Sequence, residues 1–131
     1  MAGYSGTPLV KKLGIKDGFT VQFKHAPAHL GDLIGPLPTG VTESRCGCDF
    51  IHAFYIERAL FEAEITSLMN DIKRDGMIWI SWPKKASKVP TDMTEDVVRA
   101  VALPLGLVDV KVCAVDDVWS GLKLVIRKEL R

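Results

Sequence analysis

The stretch Asp49-Phe-Ile-His-Ala-Phe-Tyr-Ile56 is an almost unbroken run of apolar, aromatic and branched residues. A second run of the same kind, Met77-Ile-Trp-Ile-Ser-Trp82, comes later in the chain and stops at Pro83. Strands with this composition are buried on both faces, as in the parallel sheets of α/β proteins. We therefore predict that these two runs are the central, parallel strands of a sheet.

The segments around these runs alternate between helix and strand patterns. A long helix is predicted over Arg58–Arg74, where apolar residues recur at three- and four-residue steps, and Gly76 is expected to end it. Shorter elements complete the pattern: helices near 8–13 and 27–34, a third helix capped at Asp92 and closed by Pro104 and Gly106, and strands over 19–23, 41–46, 110–115 and 122–126. This order predicts an α/β fold with a mostly parallel sheet, flanking helices and a C-terminal antiparallel hairpin.

Length and composition describe one ordinary globular domain. The 131 residues, with 47% apolar and 25% charged side chains, predict a single domain over 1–131, with the glycine-rich residues 1–6 flexible. Seventeen basic and sixteen acidic residues leave a formal charge of +1, which argues against nucleic acid as a partner. The longest uncharged stretches are too short for a membrane span, and no apolar signal core is present, so we expect a cytoplasmic protein.

The usual cofactor and metal motifs are missing from the chain. A dinucleotide or S-adenosylmethionine site is expected to need a glycine-rich turn after the first strand, but Lys24-His-Ala-Pro-Ala-His-Leu-Gly31 has one glycine and a proline. Glu43 is the acid that might serve such a site, although its segment is barely a strand. Histidine and cysteine spacing does not assemble a metal site. We therefore predict no cofactor, no metal and no catalytic residues.

The Ser81–Lys88 loop is the best candidate for binding, because ligands of open α/β sheets collect beyond the carboxyl ends of strands. Its lysines would hold a carboxylate or phosphate, the two serines would donate hydrogen bonds, and the tryptophan would offer a stacking face. His25 is expected at the neighbouring strand end. The predicted ligand-binding residues are His25, Ser81, Trp82, Lys84, Lys85, Ser87 and Lys88.

Two resemblances accompany this pattern. Residues 4–9, 12–16, 82–87, 91–99, 102–109, 111–116 and 119–122 resemble a family of small bacterial proteins known only as a domain of unknown function, which implies no activity. More loosely, the order of elements over Asp49–Lys128 is similar to the later half of class I S-adenosylmethionine-dependent methyltransferases. That similarity implies a reduced Rossmann or methyltransferase-like architecture, and fold analogy alone licenses no activity.

The sequence does not establish a biochemical function, and two readings remain. The preferred one is a small non-catalytic domain that binds a partner protein or a small anionic ligand near the Ser81–Lys88 loop. The alternative is a degenerate or unusual methyltransferase-like enzyme that uses this loop together with His25. Self-association as a homo-oligomer is compatible with either reading, because so small a chain leaves apolar surface uncovered.

Overall fold

Helices and strands alternate along residues 8–131, the part of the chain that this computed structural model describes. The flexibility predicted for residues 1–6 lies outside this range. Within it there are four α-helices and six strands, in the order α1 (Leu9–Leu13), β1 (Thr20–Lys24), α2 (Leu30–Ile34), β2 (Thr42–Glu43), β3 (Cys48–Phe54), α3 (Arg58–Asp71), β4 (Ile72–Pro83), α4 (Glu95–Ala102), β5 (Leu107–Ala114) and β6 (Trp119–Ile126).

The six strands form one sheet in the order β2-β1-β3-β4-β6-β5. The first four strands are parallel, while β6 runs antiparallel to both β4 and β5. The predicted fold class, a mostly parallel sheet with flanking helices and a closing antiparallel hairpin, is therefore confirmed.

Each face of the sheet is covered by its own pair of helices. Ile51 and Ala53 of β3 point into the core beneath α3 and α4, together with Ile78 and Ile80 of β4. Phe50, Phe54 and Trp79 point to the opposite face, beneath α1 and α2. Because β3 and β4 are buried on both faces, their uniformly apolar sequences are explained.

The helix–strand boundary before β4 differs from the prediction. Helix α3 ends at Asp71, and Gly76 lies inside β4 rather than at the end of the helix. A Cβ at Gly76 would stand 3.0 Å from the carbonyl oxygen of Asp49 and 2.8 Å from Cγ1 of Ile72. The glycine is thus needed for close packing against β3, a tertiary cause that a helix-ending pattern does not reveal.

No helix within residues 8–131 is long and apolar enough to cross a membrane.

A fully buried polar pair lies beneath α1 and α2. His52 Nε2 is 2.7 Å from Ser81 Oγ, and both residues are completely buried. His52 Nδ1 has no hydrogen-bond partner among residues 8–131. Burial lowers the pKa of His52 to about 3, so the ring is neutral in the folded protein and gains a proton only on unfolding.

The buried His52–Ser81 pair predicts that the free energy of unfolding falls as the pH is lowered. A depressed histidine pKa means that the unfolded chain binds an extra proton below about pH 6.5, so His52 should lower the free energy of unfolding by about 1.5 kcal/mol between pH 6.5 and pH 5. Urea unfolding of the parent protein and of His52→Gln over that range measures the difference. Equal pH dependence in the two proteins would show that folding does not lower the pKa of His52.

Candidate functional site

The carboxyl ends of β1 and β3 form the point where the chain departs to opposite sides of the sheet. After β1 the chain enters α2, which packs on one face, and after β3 it enters α3, which packs on the other. The two strands are direct neighbours and parallel. Diverging connections of this kind leave a crevice at the sheet edge, which is where open α/β sheets bind ligands.

His25 makes the turn that follows β1. Its φ is 57°, in the left-handed region that side chains other than glycine, asparagine, aspartate and histidine seldom adopt. The next residues are small or helix-starting, namely Ala26, Pro27 and Ala28. The backbone therefore turns as a glycine-containing loop would, although the residue at the turn carries an imidazole.

The carboxylate of Glu64 on α3 gathers three donors from this edge. His25 Nε2 lies 2.8 Å and the hydroxyl of Tyr55 lies 2.7 Å from Glu64 Oε1, and the ammonium of Lys24 is 3.8 Å from the same oxygen. The rings of His25 and Tyr55 also meet edge to face, with centroids 5.5 Å apart. We call Lys24, His25, Tyr55 and Glu64 the edge cluster.

One oxygen of Glu64 is left over. All three contacts go to Oε1, and Oε2 has no partner among residues 8–131. The side chain of Glu64 is 21% exposed. The edge cluster thus presents a partly exposed carboxylate oxygen to a cation or hydrogen-bond donor entering the crevice.

The edge cluster keeps Glu64 ionised. Burial alone would raise the pKa of Glu64, but the hydrogen bonds from Tyr55 and His25 and the charge of Lys24 outweigh it and hold the pKa below its usual value. Burial, followed by the bond to Glu64, raises the pKa of Tyr55 well above its ordinary range. Tyr55 is therefore a fixed donor and not a candidate for proton transfer.

The imidazole of His25, unlike the hydroxyl of Tyr55, has an atom that can accept a proton. Because an ionised carboxylate only accepts, His25 Nε2 must carry the hydrogen of their bond. In the neutral ring Nδ1 is then a free acceptor, and no residue in 8–131 occupies it. With its side chain 40% exposed, His25 has the geometry of a general base oriented by a carboxylate.

A second histidine–carboxylate pair fixes the other end of the same loop. His29 Nε2 is 2.8 Å from Oδ2 of Asp116, which lies in the turn between β5 and β6. Asp116 Oδ1 accepts hydrogen bonds from the backbone of Val118 and Trp119. The loop from His25 to His29 is thus tied both to α3 and to the hairpin, which sets the width of the crevice.

The remaining predicted site residues do not join the edge cluster. Ser81 is buried beneath α1 and α2 against His52, and Trp82 is 5% exposed in the core beneath α3 and α4. Neither is accessible to a ligand in this structure. In an uninterrupted buried strand, sequence alternation does not reveal which residues reach the surface.

The loop after β4 is nonetheless at the carboxyl edge. Ser87 is used internally, since its hydroxyl donates to the carbonyl of Lys84 at 2.6 Å. Lys85 and Lys88 are exposed and Lys84 is half-buried, and none of the three forms an ion pair with another residue in 8–131. An anion-binding role for these lysines stays a prediction.

Sequence reasoning found His25 but missed Tyr55 and Glu64. Tyr55 follows the last residue of β3, and Glu64 is a polar position on an amphipathic helix. The only sequence signal for these two residues was their position: the predicted topology places the residue after β3 and the first turns of α3 at the same edge of the sheet as His25.

Glu43 does not reach this edge. It pairs in register with Val21, three residues before the end of β1. At a rise of about 3.3 Å per residue, Glu43 lies about 10 Å short of the carboxyl edge. The chain then returns to β3 through only Ser44–Gly47, because β2 is two residues long.

No protein-family model and no curated relative matches the sequence. Solved structures do match. A SAM-dependent methyltransferase from Aquifex aeolicus is 17% identical, with 90% of this chain and 87% of that chain covered and a TM-score of 0.65. The DhpI–SAH complex is 10% identical, with coverages of 92% and 83% and a TM-score of 0.63. Aeropyrum pernix fibrillarin with bound S-adenosylmethionine is 14% identical, with coverages of 94% and 70% and a TM-score of 0.56.

The protein has a methyltransferase-like Rossmann fold. The looser of the two sequence resemblances is therefore confirmed at the level of the fold, while the resemblance to small uncharacterised bacterial proteins finds no support. The comparisons agree with the fold that the methyltransferase-like alternative assumes.

The prediction that no cofactor is used is contradicted by these matches, since one is a SAM-dependent methyltransferase and the other two are complexes with SAH and with S-adenosylmethionine. That prediction rested on the missing glycines. A positive φ is one feature that glycine gives to such a turn, and His25 has it here.

The edge cluster predicts how Glu64 titrates. Removing the Tyr55 hydroxyl with Tyr55→Phe should raise the pKa of Glu64 and cost about 1.5 kcal/mol of stability at neutral pH. Because the folded-state pKa of Glu64 is depressed, this stabilisation is present above its ordinary pKa and is lost as the pH falls through the folded value.

Carbon NMR of the side-chain carboxyls measures the change. The carboxyl of Asp109, whose pKa is lowered by Arg99 on another part of the surface, serves as the internal control and should titrate identically in both proteins. An unchanged Glu64 titration in Tyr55→Phe would mean that the tyrosine does not stabilise the carboxylate.

Proposed function

We propose that the protein binds S-adenosylmethionine at the crevice between β1 and β3 and transfers its methyl group to an acceptor that loses a proton. The observation that carries this proposal is the edge cluster itself. It combines a left-handed turn, an ionised carboxylate with one free oxygen and an oriented imidazole at the switch point of a methyltransferase-like sheet.

Residues at the turn fit the cationic half of the cofactor. S-adenosylmethionine carries an ammonium and a sulfonium, and Glu64 Oε2 is an unpaired, ionised acceptor for such groups. The small side chains of Ala26 and Ala28 are consistent with close approach of a ligand to the backbone. We assign Glu64 and the turn after His25 to holding the cofactor.

Fewer residues of the crevice are placed to hold the ribose of the cofactor. An acidic side chain after the second strand usually hydrogen-bonds the ribose in Rossmann folds, and Glu43 lies about 10 Å short of that place. We therefore expect recognition of the cofactor to depend on the methionine half more than on the ribose.

His25 is proposed as the proton acceptor. When bound, S-adenosylmethionine supplies the methyl group and leaves as S-adenosylhomocysteine. The acceptor loses a proton as its lone pair forms the new bond, and the free Nδ1 of His25 takes that proton while Glu64 holds Nε2–H. This assignment favours phenols, thiols or neutral amines that carry an N–H as acceptors, because each has both a lone pair to form the new bond and a proton to lose.

Isothermal titration with S-adenosylmethionine and S-adenosylhomocysteine tests binding. Glu64→Gln removes the negative charge and should weaken S-adenosylmethionine binding about tenfold, or about 1.4 kcal/mol. Glu62→Gln is the matched control, because Glu62 is on the same helix but is half-exposed and pairs with Arg58. Absence of binding at millimolar ligand, or equal losses in both variants, would contradict the proposal.

Two substitutions at one position separate the turn from the imidazole. His25→Gly keeps the positive φ, so it should still bind S-adenosylmethionine but lose methyl transfer to a panel of phenols, thiols and amines. His25→Val places a branched side chain in the left-handed region and should lose both. Full transfer activity in His25→Gly would exclude the histidine as proton acceptor.

A further inference from the structure

Two lysines lie opposite each other on the sheet, away from the edge cluster, and a third lies in a neighbouring loop. Lys111 of β5 and Lys123 of β6 are directly opposite each other in register, and Lys123 is opposite Trp79 of β4. The ammonium of Lys111 is 5.9 Å from the centroid of the Trp79 ring. The charge of Lys16, in the segment after α1, contributes to lowering the pKa of Lys123. We call Lys16, Lys111 and Lys123 the lysine cluster.

No carboxylate of this chain neutralises the lysine cluster. None of the three forms an ion pair with a residue in 8–131, and residues 1–7 contain no acidic side chain. Asp109, the nearest acid along β5, is paired with Arg99 at 2.8 Å. Burial first, and then the charges of Lys111 and Lys16, lowers the pKa of Lys123. The chain thus holds like charges against each other, which destabilises a sheet.

Protection of the sheet edge accounts for only one of these lysines. Lysine on an edge strand discourages unwanted pairing, and Lys111 lies on β5 at the edge of the sheet. Lys123 is on an interior strand and half-buried, and Lys16 is outside the sheet, so neither blocks an edge. Edge protection therefore does not explain why these lysines lie close together, whereas binding of an anionic partner would.

The surroundings of the cluster distinguish a protein from a nucleic acid. On the same face of the sheet as Lys111 and Lys123, Val108 of β5 is 38% exposed and in register with the half-buried Val125. The aromatic ring beside the lysines, Trp79, is completely buried and offers no face on which a base could stack. Exposed branched side chains beside lysines fit a polypeptide that carries both carboxylates and apolar groups.

We propose that the lysine cluster, Val108 and Val125 are the docking surface for an acidic, apolar segment of a partner protein. Its carboxylates would pair with Lys16, Lys111 and Lys123, and its apolar side chains would cover the valines. A second copy of this chain would oppose lysines with lysines on this face, so the expected partner is a different protein. This proposal does not depend on cofactor binding.

Fluorescence anisotropy with a labelled peptide of alternating Glu and Val tests the surface, with a Lys–Val peptide and a single-stranded oligouridylate as comparison probes. The double variant Lys16→Ala/Lys111→Ala should bind the Glu–Val peptide about tenfold more weakly. The matched control is Arg45→Ala/Lys128→Ala, which removes two exposed basic side chains elsewhere. Circular dichroism of each variant checks its fold.

The proposal predicts salt-sensitive binding of the Glu–Val peptide, weaker binding of the other probes and no effect of the control substitutions. It also predicts that Lys16→Ala/Lys111→Ala is as stable as the parent, because like-charge repulsion is relieved. No measurable binding of the Glu–Val peptide, or equal losses in the two double variants, would overturn it. Tighter binding of oligouridylate that depends on Lys16 and Lys111 would overturn it in favour of nucleic acid.

Discussion

The carboxylate of Glu64 is the contact on which the organisation of the sheet edge depends. It accepts hydrogen bonds from the residue after β1 and the residue after β3, and it belongs to α3. Tyr55 and His25 together outweigh the cost of burying the charge, so the carboxylate stays ionised. Its charge in turn determines which nitrogen of His25 carries the hydrogen. Loss of this one group would change the turn, the tyrosine and the imidazole at once.

The second feature of the site is the absence of a helix between β2 and β3. With two residues in β2 and four in the link to β3, the chain has no helix between these strands. One flank of the crevice is therefore built from loop backbone, and the acid of β2 stays well below the edge. The other flank, formed by α3 and the β5–β6 turn, is held by two histidine–carboxylate pairs. This difference between the two flanks supports the proposal that the methionine half of the cofactor is recognised more than the ribose.

Much of the fold could be predicted because its signals are local. The uninterrupted apolar runs identified β3 and β4, the apolar steps identified α3, and the hairpin was placed within a few residues of its bounds. Gly76 was misassigned because its role comes from the carbonyl of Asp49 across the sheet. The candidate site was only partly predictable: His25 was named, but its partners come from residues 30 and 39 positions away. Ser81 and Trp82 looked accessible because a fully buried strand has no polar alternation to indicate its two faces.

Amide NMR during titration with S-adenosylhomocysteine tests the central claim most directly, since it reports both binding and its place on the fold. The account predicts chemical-shift changes concentrated in the turn from His25 to Gly31, at Tyr55 and around Glu64 on α3, with the lysine cluster unaffected. Binding with shifts confined to the loop after β4 or to the face of β5 and β6 would contradict the assignment of the crevice. A spectrum unchanged at millimolar ligand would contradict cofactor binding itself.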